Sequence, residues 1–153
     1  MPANKNGPLV VLRITWATLL LGQFAFAAII TFVLWPQGMV HTNAHQAQIL
    51  AIFSTIFMFV MLPLAFVIRK IVYQPSPDGR IAPGRYSTGN IIFYTLCEAV
   101  AMVGLIAMMM HQGPSGVIFV PAVAVALQIV NYPNGTPLGS SGSPLDVAPT
   151  REQ

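Results

Sequence analysis

Glu98 stands inside the apolar run of residues 90–111, NIIFYTLCEAVAMVGLIAMMMH, and no other apolar run in the chain holds a carboxylate. An ionised side chain in hydrocarbon costs roughly 2.5–3.5 kcal/mol on insertion scales. A chain meets that cost by packing the group against other helices, by protonating it, or by using it to exchange a proton or cation. With no Lys, Arg or His at that depth in the other apolar runs, a neutral Glu98 is the expectation at pH 7. On a helix its face neighbours are Tyr94, Ala101 and Met102. Tyr94, Gln23 in the first apolar run, and Ser54 or Thr55 in the second are its candidate hydrogen-bond partners. Cys97, Ala101 and Gly104 add a stripe of small residues on which another helix can approach closely.

The other constellations are weaker. His41, His45 and His111 fall on one side of the expected topology and could form a metal or proton-sensing group, but no carboxylate supports them there. Met58, Met61, Met102 and Met108 to Met110 suit copper(I) by ligand softness, yet read better as packing in an apolar interior. The lone Cys97 reads as a small buried hydrophobe and permits no intramolecular disulfide. There is no H-E-x-x-H, no G-x-S-x-G, no C-x-x-C and no pair of carboxylates for acid–base work. Neither an enzyme nor a cofactor is expected.

Positioning Glu98 requires helices in a bilayer. Of 153 residues, 55% are hydrophobic and 7% charged, against about 25% charged in soluble domains. Such a chain cannot cover a water-facing surface. The apolar runs place transmembrane helices at 14–35, 47–68, 90–110 and 114–131, giving an all-α bundle of four spans. Trp16 and Trp35 mark the two ends of the first span, and Pro36 and Gly38 stop it. A competing reading makes Lys5 and Arg13 the start of a secretory signal with Ala25-Phe26-Ala27 as its cleavage site, although the apolar run continues to Trp35. Residues 74–89 read as a solvated loop, since their glycines lack the strand and helix of a phosphate-binding loop. The fourth span is the shortest, and Pro121 inside it forfeits a helix hydrogen bond that its neighbours must replace. Residues 132–153, rich in Pro, Gly and Ser, read as a disordered tail.

Charge sets the orientation. Lys5, Arg13, Arg69, Lys70, Arg80, Arg85 and Arg151 all fall on one side of the four-span arrangement. The positive-inside rule then puts both termini in the cytoplasm, with residues 1–13 as a cytoplasmic segment.

Around Glu98 the sequence T-L-C-E-A-V-A-M-V-G-L, residues 95–105, resembles the carboxylate helix of the proteolipid c subunits of rotary ATPases. In that family an intramembrane Glu in an A-L-x-E-A setting is followed six residues later by Gly-Leu. The second span, basic loop and Glu98 helix are also similar to the hairpin of such a subunit. The resemblance implies that Glu98 takes the place of the ion-binding carboxylate. This chain departs from the pattern in having no glycine in its second span and no carboxylate in its fourth. Its overall layout looks like that of small bacterial four-helix membrane proteins with the same kind of carboxylate helix.

Two functional expectations follow. One is a multi-pass protein of the cell inner (cytoplasmic) membrane that serves as an accessory or assembly subunit. Its partners would be the bilayer and other membrane helices, in a homo- or hetero-oligomer, with no nucleic acid. The other is a proton- or cation-translocating subunit in which Glu98 is the exchanging group.

Overall fold

Apolar runs of this length satisfy their backbone most simply as helices, because hydrocarbon offers no competing hydrogen bonds. A computed structural model of the chain describes residues 7–36, 43–74, 81–111 and 116–135, and these hold four helices and no strand. Helix α1 is Gly7–Ile29 and runs on into a π-helical segment, Ile30–Leu34; α2 is Ala44–Val72, α3 is Pro83–Met110 and α4 is Phe119–Val130. Three of them, Gly7–Leu34, Ala44–Val72 and Pro83–Met110, are long and apolar enough to cross a membrane.

The helices extend beyond the apolar runs that predict them. α1 begins at Gly7 rather than at residue 14, and α2 continues past Arg69 and Lys70. α3 starts at Pro83, so part of the expected 74–89 loop is its first two turns. Proline at the first helical position explains that start: its missing N–H would have had no partner there in any case. Asn43 caps α2, its side chain accepting from His45 N at 3.2 Å.

The fourth span is where the expectation changes most. α4 has 12 residues, about 18 Å of helix at 1.5 Å per residue, which is too short to cross a bilayer alone. Pro121 supplies the reason. A helix begun at residue 114 would drive the Pro121 ring against the Val117 carbonyl. Instead that carbonyl accepts from Val120 N at 3.0 Å in a tight turn. α4 opens at Phe119, so Pro121 falls in the first turn, where no hydrogen bond is lost.

α3 is the central helix, with 50% of its most apolar stretch buried against 17% for α1 and 22% for α2. It packs against α2, α4 and α1. Among the described residues α1 and α2 share no such packing. α3 and α4 approach closely at Gly104, where a Cβ would lie 2.6 Å from Pro121 Cδ and 3.0 Å from the Pro121 nitrogen. The small-residue stripe is therefore occupied at Gly104 by α4, and Cys97 and Ala101 beside it are fully buried.

The outer surface is the reverse of a soluble protein's. Leu21, Phe32 and Phe59 are 71%, 77% and 67% exposed, while Gln23, Ser54, Asn90 and Gln128 are buried. Lipid, not water, suits that surface. Met58 and Met108 join Leu62, Phe93, Val100 and Leu105 in the interior, as packing methionines do.

Candidate functional site

Glu98 sits on a boundary. On α3, Tyr94, Ala101 and Leu105 on one side of it are buried, whereas Ile91 and Thr95 on the other are exposed. Glu98 is half-buried, and its carboxyl group has no hydrogen bond or ion pair among the described residues. It therefore stands at the rim of the lipid-facing surface rather than inside the bundle.

The groups expected to bond it are engaged elsewhere, or nowhere. Ser54 Oγ and Thr55 Oγ1 both donate to the Ala51 carbonyl, at 2.9 Å each. Thr15, Thr18 and Thr31 bond back in the same way to Val11, Ile14 and Ala27. A hydroxyl in a helix can satisfy itself one turn back, so it needs no distant carboxylate. Tyr94 reaches the other way, its hydroxyl donating to the Asn131 carbonyl at 2.6 Å. Gln23 is 2% exposed, and neither its amide nitrogen nor its oxygen has a partner. The structure thus brings none of the four into a hydrogen bond with Glu98.

The histidines fare differently. His41 lies outside the described residues. His45 is exposed in the first turn of α2, and His111 caps the far end of α3, where it lines an open groove with Ala51 and Thr55. Among the described residues no three His, Cys, Asp or Glu side chains form a group able to hold a metal ion.

The densest polar arrangement among the described residues is one that sequence reasoning passed over. It lies where α1 begins, α2 ends, α3 begins and α4 ends. Arg69 donates through Nη1 to Asn131 Oδ1 at 2.7 Å and through Nε to the Tyr73 hydroxyl at 3.1 Å. Its guanidinium lies 5.1 Å from the Tyr73 ring centre and 5.0 Å from that of Phe93. Burial pushes the Tyr73 phenol above its ordinary pKa, with Arg69 opposing, so the hydroxyl keeps its proton at pH 7. Tyr73 stacks on Tyr86, whose hydroxyl accepts from Gly135 N at 3.2 Å.

No protein-family model, curated protein or solved structure matches the chain.

α1 completes the cluster. Arg13 Nε donates to the Pro133 carbonyl at 3.3 Å, and Trp16 Nε1 donates to the Gln128 carbonyl at 2.9 Å. Trp16 meets Tyr132 edge to face at 5.0 Å, and Arg13 lies 5.5 Å from the same ring centre. Residues 132–135, expected as the start of the tail, are therefore packed on the bundle, with Pro133 buried and Leu9 against Gly135. The sequence held a signal for part of this: Tyr73 four residues after Arg69, and Tyr86, Asn90 and Tyr94 four apart on one helix face. Nothing local pointed to Asn131, which is 62 residues from Arg69.

Proposed function

We propose that this chain is a multi-pass protein of the cytoplasmic membrane that works through helix–helix association, as an accessory or assembly subunit, and carries out no catalysis. Glu98 is the contact. The observation supporting this reading is its position: a carboxyl at the rim of the lipid-facing surface, with no hydrogen-bond or ion-pair partner among the described residues. In hydrocarbon such a group gains most from a polar group on a neighbouring helix, and a protonated carboxyl can both donate and accept there. α3 is held firmly enough to present it, since Tyr94, Cys97 and Ala101 beside it are fully buried.

The same exposure supports a second reading, in which Glu98 takes up and releases a proton or cation through a larger assembly. The two differ in what covers the carboxyl. A membrane-permeant carbodiimide separates them when applied to native membranes and to detergent-dispersed protein at about pH 5 to 9, a range bracketing a shifted carboxylate. Association predicts protection in membranes across that range and modification once the assembly is dispersed. Modification in native membranes that fades through a defined midpoint would contradict it and favour translocation.

A further inference from the structure

We propose that the cluster around Asn131 is a binding site for the phosphodiester headgroup of an anionic phospholipid. Four cations of the described residues, Arg13, Arg69, Lys70 and Arg85, belong to this end, and none forms an ion pair among the described residues. The connection between α2 and α3 adds Asp78 and Arg80, which cancel. The only described acid is Glu98, deeper in α3 and without an ion pair.

The two arginines are partly used and partly free. Arg69 commits Nε and Nη1 to Tyr73 and Asn131, leaving Nη2 without an acceptor among the described residues. Arg13 commits Nε to the Pro133 carbonyl, leaving both terminal nitrogens without one. Asn131 and Pro133 are two residues apart, so their Cα atoms are separated by at most about 7 Å. Two guanidinium groups are thus anchored on one short step of chain, each by neutral acceptors that orient it without neutralising it. Guanidinium forks match phosphate oxygens, and neutral anchoring leaves the charge available.

The surroundings select a lipid over a soluble phosphate. Trp16 and Tyr132 form an edge-to-face pair beside Arg13, and such rings, apolar with one polar atom, favour the level of lipid headgroups. Val10, Val11 and Ile14, next to Arg13, are 50%, 60% and 61% exposed and offer an apolar wall for acyl chains. Anionic headgroups are attracted to cations held at a membrane surface.

The test is competitive lipid retention by the full chain in detergent, measured by native mass spectrometry with equal amounts of phosphatidylglycerol and phosphatidylcholine. The expected result is a preference for phosphatidylglycerol on the order of tenfold. Arg13→Gln should cut that preference several-fold, while excess inorganic phosphate should leave it in place. Equal retention of the two lipids would overturn the proposal, as would an unchanged preference in Arg13→Gln. Displacement by inorganic phosphate would reassign the site to a free anion. If Arg13→Gln does not fold, salt on the unaltered chain decides. Raising it from about 0.1 M to about 1 M shortens the screening length from about 10 Å to about 3 Å and must collapse the preference.

Discussion

Gly104 and Pro121 touch so closely that a single added methyl group has no room: a Cβ on Gly104 would lie 2.6 Å from Pro121 Cδ. The nearby Val120 Cγ1 would be at 2.8 Å and the Pro121 nitrogen at 3.0 Å, so backbone as well as side chain stands in the way. Proline lets α4 begin where it does, and glycine lets α3 receive it. Gly104→Ala should therefore push α4 off α3 and destabilise the fold by about 1–3 kcal/mol, the usual cost of overpacking. Equilibrium unfolding in mixed micelles measures this, and an unchanged stability would show that α4 is not seated on Gly104.

Tyr94 ties the same two helices at their other end through its hydroxyl and the Asn131 carbonyl. Tyr94→Phe keeps the buried ring and removes only the donor. The orphaned carbonyl should cost about 1–3 kcal/mol. The same unfolding assay reads it, and a loss below about 0.5 kcal/mol would mean that the hydroxyl contributes less than an ordinary net hydrogen bond.

Gln23 gives a prediction of the opposite sign. Its amide is buried and unpartnered in the structure, so Gln23→Leu removes a desolvated polar group without breaking a bond. Stability should hold or rise by up to about 1 kcal/mol. A loss of 2 kcal/mol or more, roughly that of a buried group deprived of its partner, would show that Gln23 does bond a polar group such as Glu98.

Cys97 is 0% exposed at the heart of α3. A maleimide should leave it unlabelled in the folded chain and label it after denaturation in SDS. Rapid labelling of the folded protein would mean that the helices packed on α3 do not close over this face.

The sequence made the helices legible but not their meeting points. Apolar runs interrupted by Pro36, the Arg69-Lys70 pair and the Pro- and Gly-rich connection marked three spans, because burial in lipid needs only length and composition. Boundaries were less legible. Polar first turns such as Pro83 to Gly89 look like loop when judged by hydropathy, although Pro83 is a helix-start signal. α4 misled for a related reason: Pro121 was placed mid-helix, when shortening the helix moves it to the first turn and removes its cost. Glu98 was visible as the one carboxylate in an apolar run, but its side of the helix depends on how three neighbours pack. The Arg13 and Arg69 cluster was the least legible, since its bonds join residues 120 and 62 apart in the chain.

The proposed role of Glu98 is to hold this protein to a neighbouring helix as a neutral hydrogen-bonding group. The direct test is the assembly state of the full chain in membranes, by cross-linking and single-molecule photobleaching, for the unaltered protein, Glu98→Gln and Glu98→Leu. Glutamine keeps a donor and an acceptor and should assemble as the unaltered chain does. Leucine should weaken assembly on the order of tenfold, as expected for an interhelical contact of about 1–2 kcal/mol. Full assembly of Glu98→Leu, or an unaltered chain that remains alone in the membrane, would contradict the account.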